Sequence, residues 1–425
     1  MSTNGYYRFP TINGNLVVFV SEDDLWSFNL SDSSIQRLTS NYGAVSCPRI
    51  SPDGKKIAFV GTEDGDSEIY VMPSEGGPAK RLTFLGSQLK VVNWKNNQDI
   101  LFASNHSMPF PRMFDIFSVN TNGEFPKSLS FGMANDIAFG KKSTIIGKNT
   151  SDPARWKRYK GGTAGEIWID LKNNNKFKKL IDLKGNLACP MAISNRVYFL
   201  SDHDGIGNIY SCSEEGQDLK KHTNHKNYYA RNASTDGKSI IYHSGADLWK
   251  YDITNNAFNK IEIRFLSPMI QKSRKFSSTQ NYLEDYFLDS QNSMIAFTSR
   301  GKLFSMGNWD GPTYQLGKSQ GVRYYFPRFF GKDEKILVFS DESGTEKPEI
   351  HHFDGSKKNK VLNLSIGRPY DVKISPVSDM ALIQNHKHEL LLLDIKKEKI
   401  TKIDHSKYSP ITGFDWSPDG KFIAY

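Results

Sequence analysis

The feature that most constrains this chain is a short turn that keeps returning between apolar runs. Ser51-Pro52-Asp53-Gly54, followed by Lys55-Lys56-Ile57-Ala58-Phe59-Val60, comes back nearly unchanged as Ser417-Pro418-Asp419-Gly420, followed by Lys421-Phe422-Ile423-Ala424-Tyr425. Ser234-Thr235-Asp236-Gly237 before Lys238-Ser239-Ile240-Ile241-Tyr242 is a looser copy. Asp-Gly between apolar runs marks a hairpin, because Gly takes the positive φ of the turn without steric cost and the Pro before it discourages continuation of the ladder. Weaker versions, such as Asn13-Gly14 before Leu16 and Ser290-Gln291-Asn292 before Met294, fill the gaps at a period of about 40–55 residues.

Two further features recur in each period. One is a polar residue followed by an apolar and an aromatic one, as in Asp24-Leu25-Trp26, Glu68-Ile69-Tyr70, Asn208-Ile209-Tyr210 and Asp247-Leu248-Trp249. The other closes the period, as in Arg37-Leu38-Thr39, Arg81-Leu82-Thr83 and Lys221-His222-Thr223. Four short β-rich runs per period, separated by Gly, Asn, Asp and Ser, are the pattern of a propeller blade, and helical periodicity is nearly absent. In such a blade the aromatic fills the wedge between neighbouring sheets rather than serving as a ligand platform.

Six periods run from about Leu16 to Phe265, and a charged connector containing Lys272, Arg274 and Lys275 follows. Three more run from Tyr282 to Asp404, and a fourth starts at Pro410. The fold expected is therefore all-β: a six-bladed β-propeller over 1–270, then the first three to four blades of a second, incomplete β-propeller over 271–425. Three and a fraction blades leave sheet edges and apolar faces uncovered, so Phe422 to Tyr425 reads as an inner strand whose hairpin partners are missing and which another polypeptide completes.

Composition narrows the function. The 55 Lys and Arg against 46 Asp and Glu give +9, yet the charge is dispersed, which fits a solvated basic surface rather than nucleic-acid binding. No apolar stretch approaches the roughly 20 residues of a membrane span. Cys47, Cys189 and Cys212 lack any C-x-x-C spacing, which fits a reducing compartment. The polar start, Met1 to Asn13, has neither the basic nor the apolar region of a secretory leader, so a cytoplasmic location is expected.

These residues resemble the tricorn protease family, serine peptidases that trim oligopeptides. Asp23-Asp24-Leu25-Trp26, the run from Trp156 to Ile169, the run from Arg196 to Tyr210 and Asp218 to Thr223 carry the likeness, which covers essentially the whole chain. It implies a six-bladed propeller followed by the seven-bladed type, with the serine active site on domains beyond the matched region. No catalytic residue is therefore carried over, and no cofactor is implied. The likeness also implies a partner, a tricorn-like C-terminal catalytic subunit, in an oligomeric assembly. The expected function is sequential oligopeptide degradation, with the propellers gating substrate and product. The alternative is a non-enzymatic propeller scaffold that binds peptides or proteins.

The residues themselves agree that chemistry is lacking. No G-x-S-x-G elbow occurs, and His243-Ser244-Gly245 is its nearest imitation. The pairs His351-His352 and His386 with His388 read as exposed strand histidines without metal-ligand spacing, and Asp202-His203-Asp204-Gly205 reads as a hairpin turn rather than a calcium loop. The densest basic cluster with interleaved aromatics is Arg155, Trp156, Lys157, Arg158, Tyr159 and Lys160. Arg155, Lys157 and Arg158 are candidate contacts for peptide carboxylates or an acidic partner surface, since guanidinium presents a fork that matches a carboxylate. The family likeness implies paired arginines between the second and third blades as the carboxylate anchor. Here that connection, Phe84 to Val91, offers Gln88, Leu89 and Lys90, and Lys90 is the remaining candidate.

Overall fold

A computed structural model describes residues 5–40, 43–266, 269, 277–332 and 334–425. The connector cations Lys272, Arg274 and Lys275 lie outside the described residues. The chain divides into two compact units, Met1–Ser273 and Arg274–Tyr425. Among the described residues there is no α-helix, only a single 3-10 turn at Gln280–Tyr282.

The first unit consists of six four-stranded antiparallel sheets over 8–37, 46–81, 89–128, 136–179, 187–221 and 231–260, here blades 1 to 6. Every blade is built from consecutive strands a to d. The first strands neighbour one another in a closed cycle, with that of blade 1, Arg8–Asn13, against that of blade 6, Arg231–Thr235. The period therefore begins one strand earlier than Leu16. The recurrent turn joins strands a and b inside a blade and does not separate blades.

Each repeated residue has a mechanical role. In the turn, Ser51 Oγ donates to Asp53 (2.6 Å) and accepts from the Lys56 amide (2.9 Å), while the Gly54 amide reaches Ser51 O (2.9 Å). Ser417, Asp419, Gly420 and Phe422 repeat these contacts. Gly420 has φ +66°, and a Cβ there would lie 2.3 Å from Val377 Cγ2. The polar residue opening strand c and the Thr after strand d form a buried clamp. Thr39 Oγ1 donates to Asp24 (3.0 Å) and accepts from the Leu25 amide (2.8 Å). Thr83 does the same with Glu68 and Ile69, and Thr223 with Asn208 and Ile209. This pins the short outer strand, whose ladder alone is too brief to hold it.

The inner strands carry a bulge. Phe9, Cys47 and Cys189 have φ near +50°, each precedes a proline, and each sits where the pairing with strand b shifts register. A bulge leaves one residue without a ladder partner, and proline removes the donor that would be stranded there. Side chains then brace neighbouring blades: Arg49 Nε donates to Val92 O (3.1 Å) and Trp94 Nε1 to Arg49 O (2.9 Å).

The ring closes without a shared strand. Tyr7, Phe19, Trp26 and Phe28 of blade 1 and its approach pack with Ile241, Leu248 and Phe265 of blade 6 and its exit in one buried cluster. Phe265 meets Trp26 and Tyr7 edge-on, with centroids at 4.7 and 5.6 Å. The Tyr7 amide donates to Ala246 O (3.1 Å), and Ser234 Oγ to Pro10 O (3.0 Å). Trp26, Tyr70 and Tyr210 are buried in blade interfaces, as expected for the aromatic of the third run.

The second unit holds three four-stranded blades over 283–316, 324–361 and 369–405, here blades 7 to 9, and a two-stranded hairpin of Asp415–Trp416 and Ile423–Ala424. It repeats the same brace: Arg328 Nε donates to Val372 O (2.9 Å) and Trp416 Nε1 to Lys373 O (3.2 Å). The hairpin corrects one expectation. The strand within Phe422–Tyr425 has a partner on one side, because Trp416 pairs with Ile423 and Asp415 with Ala424. Two residues were too short a run to be legible as a strand.

Truncating Phe265 to Ala should cost about 3–5 kcal/mol, the usual effect of emptying a buried aromatic site. Urea unfolding should show this loss in the transition of the first unit, and a loss below about 1 kcal/mol would mean that the blade 1 to blade 6 seam does not limit its stability.

A cationic cavity at the loop end of the first propeller

Arg155 to Lys160 lie on the loop between strands b and c of blade 4, which blade 5 grips by the backbone. The buried Asp202 carboxylate accepts from the Arg158 amide (2.7 Å) and the Asn186 amide (2.7 Å), and Asn186 Nδ2 donates to Trp156 O (2.9 Å). Asp202 thus has a structural task in the turn that superficially resembles a calcium loop, where the Gly205 amide also closes on Asp202 O (3.0 Å). Trp156 stacks on Tyr159 at 4.0 Å but remains largely exposed. None of Arg155, Lys157, Arg158 and Lys160 has a carboxylate within ion-pair distance among the described residues. In contrast, Arg37, Arg81 and Arg196 are each paired.

Of these four cations, Lys157 and Arg158 line a cavity of about 570 Å³, whereas Arg155 and Lys160 do not. The other walls come from far along the chain: Tyr6 ahead of blade 1, Tyr228 and Tyr229 between blades 5 and 6, and Arg231 and His243 of blade 6. All belong to the end of the ring that carries b–c turns and blade connections, opposite the Ser-Pro-Asp-Gly turns. Arg231 is neutralised by Asp152 (Nε 2.7 Å, Nη2 2.5 Å). Lys157 Nζ lies 5.6 Å from the Tyr229 ring centroid.

His243 is the residue that sequence reasoning missed. It is 2% exposed, and neither ring nitrogen has a hydrogen-bond partner among the described residues. Burial, reinforced by the Arg231 charge and opposed by Asp152, pushes its imidazole down from about 6.5 to about 4, so it is neutral at pH 7. Its neighbour Ser244 donates to Tyr228 O (3.2 Å), so the imitation of a nucleophile elbow is a turn brace.

Lys90 belongs to a different place. It lies on strand a of blade 3 and pairs with Asp136 of blade 4 (2.5 Å), beside an axial opening of about 240 Å³. First strands of all six blades line that opening, through Thr11, Arg49, Asn93, Asp136, Cys189 and Ser234 among others. Burial pushes the Cys189 thiol up to about 12, with Asp136 adding to the rise and Lys90 and Arg49 opposing it. Burial likewise raises Cys47. Neither is a ready thiolate nucleophile.

One exposed serine among the described residues, Ser356, meets His352 Nδ1 at 3.2 Å, but Asp354 meets the same nitrogen, so the three do not line up as a relay through the two ring nitrogens. Ser211 Oγ meets His222 Nε2 at 2.7 Å, but it is buried and also accepts from Arg196 Nε (3.0 Å). His351 is buried rather than exposed and meets Glu349 at 2.9 Å, while His352 meets Asp354 at 2.5 Å. Their carboxylates come from two residues away on the same strand or turn, a spacing the sequence reading passed over. No group of three or more potential metal ligands occurs among the described residues, and no helix there is long and apolar enough to cross a membrane.

The His243 position carries a pH signature. Between about pH 6.5 and 4 the unfolded chain takes up a proton that the folded chain refuses, so stability present at neutral pH is lost as pH falls through that window, by about 3 kcal/mol in all. Unfolding midpoints of the first unit measured from pH 7 to pH 4 should fall less steeply for His243→Leu, and an unchanged slope would contradict the assignment.

Comparison with known proteins agrees with this architecture. Residues 4–257 match the family model of the tricorn protease N-terminal beta propeller domain, and residues 283–425 that of the tricorn protease second beta propeller domain. A tricorn protease homolog of Saccharolobus solfataricus is 38% identical over 99% of this chain and 39% of its own length. The tricorn protease of Thermoplasma acidophilum is 31% identical over 98% of this chain and 39% of its own length. The chain thus spans about two-fifths of these relatives. The crystal structure of the tricorn protease superposes with a TM-score of 0.86 over 99% of this chain and 41% of that one, at 28% identity. In Sulfurisphaera tokodaii, proteins described as putative tricorn-like N-terminal and C-terminal subunits match 176 and 249 residues of this chain at 37% identity. With two successive family models along its length and relatives alike over nearly all of it, the chain belongs to the tricorn protease family.

Proposed function

We propose that this chain supplies the peptide-handling propellers of a tricorn-like serine peptidase that degrades oligopeptides sequentially in the cytoplasm, the serine active site lying on another polypeptide or segment. The observation that carries this reading is the axial opening framed by the inner strands of all six blades, with no exposed nucleophile beside it among the described residues. A rigid ring around a narrow opening admits an extended chain and rejects a folded one without chemistry of its own. Lys157 and Arg158 are the residues proposed to meet the substrate, whereas Lys90 is committed to Asp136.

An open apolar face in the second unit supports a partner carrying further blades. On blade 7, Tyr286, Phe297 and Phe304 align across three strands, and Leu288, Ile295 and Met306 form the next row. Tyr286 and Leu288 are exposed, whereas the same face of blade 1 is sealed by blade 6. A neighbouring blade is the partner whose shape fits such a face.

Purified alone, the chain should not cleave fluorogenic peptides. Mixed with the polypeptide that carries the peptidase domain, it should form a complex by size-exclusion chromatography and gain hydrolysis sensitive to serine-directed reagents. Replacing Leu288 by Glu should weaken that complex by about tenfold or more, since a charge would be buried unpaired. Inhibitor-sensitive turnover by the isolated chain would overturn the reading, and a chain that ignores the catalytic polypeptide would leave a propeller scaffold.

A further inference from the structure

The cavity between blades 4, 5 and 6 combines features that single out one ligand chemistry. At its rim, Lys157 and Arg158 hold two positive charges with no carboxylate partner among the described residues. At its base, His243 presents buried ring nitrogens without a partner, a costly state that a polar ligand atom relieves. Between them stand the rings of Tyr6, Tyr228 and Tyr229, which favour an aromatic or apolar body. Arg231 adds no net charge because Asp152 already neutralises it. The volume of about 570 Å³ suits a small molecule or the last residues of a peptide, and is too confined for a duplex.

We propose that this cavity is a binding site for an oxyanion-bearing ligand, with the oxyanion held by Lys157 and Arg158 and a second polar atom meeting His243. It shares no lining residue with the axial opening, and it lies apart from the Phe84–Val91 connection and Lys90. With a peptide C-terminus as its ligand the site rests on the reading above, in which Lys157 and Arg158 meet the substrate, whereas with phosphate it stands apart from that reading. Two sources carry the required chemistry: a free peptide C-terminus, and phosphate or a phosphate monoester. Guanidinium matches either by paired N–H donors, and the ammonium of Lys157 adds a point charge.

Isothermal titration of the full chain with the tripeptide alanyl-alanyl-phenylalanine, its C-terminal amide and inorganic phosphate tests the proposal. The free acid should bind at least about tenfold more tightly than the amide, the scale of one charge-assisted contact. Lys157→Gln and Arg158→Gln should each lose about tenfold without lowering the melting temperature, since both side chains are exposed, and Arg155→Gln should bind as the parent does. Adding the acid should move the ring signals of His243 in a spectrum of ¹⁵N-histidine-labelled chain. If phosphate binds more tightly than the tripeptide with the same sensitivity to Lys157 and Arg158, the oxyanion site stands and phosphate is its source. Equal binding of acid and amide without tighter binding of phosphate, binding indifferent to Lys157 and Arg158, or no binding of any of the three would overturn it.

Discussion

Everything described for the first propeller depends on the seam between blade 1 and blade 6. A four-stranded antiparallel sheet has two apolar faces, and only a ring in which every face meets a neighbour covers them all. Because each blade uses consecutive strands, no hydrogen-bonded ladder crosses the seam. Closure rests on Tyr7, Trp26 and Phe265 packing with Ile241 and Leu248, helped by the Tyr7 amide and Ser234 Oγ. Each buried aromatic of this kind contributes roughly 1.5–3 kcal/mol, which makes a few rings decisive for a marginally stable domain.

The seam also creates the cavity. Tyr6 and His243 are more than two hundred residues apart in sequence, and they share a wall only because blade 1 returns to blade 6. The two ends of the ring divide their work accordingly. Ser-Pro-Asp-Gly turns at one end are saturated by their own hydrogen bonds and are short. The b–c turns and blade connections at the other end are longer and less committed, and buried groups without bonds among the described residues, Ser21 Oγ and both His243 ring nitrogens, lie there.

The parts of the fold legible in the sequence were those with a local cause. Asp53-Gly54 announced a hairpin because positive φ is a one-residue property, and Asp24 with Thr39 recurred because their clamp is renewed in several blades. Lys157 and Arg158 stood out because they cluster along the chain. What escaped had causes distributed over the ring. Lys90 was a candidate because it lies in the connection where the family likeness implies paired arginines, yet strand a of blade 3 aims it at Asp136 on the neighbouring blade. His243 looked like the shadow of a nucleophile motif, and its isolation follows from contacts that only tertiary structure sets. The burial of His351 and the hairpin partner of Ile423–Ala424 likewise depend on neighbours that a short local pattern cannot report.

The central structural claim is that the first propeller is one closed ring whose last blade holds its first. Native-state hydrogen exchange in low denaturant tests this at the amides of Tyr7, which donates to Ala246 across the seam, of Leu25 inside blade 1 and of Ile261 at the edge of blade 6. The account predicts that these amides exchange through one cooperative opening with a common free energy, and that Phe265→Ala lowers all of them together. Blade 1 amides that exchange freely while those of blade 6 stay protected would contradict a closed ring.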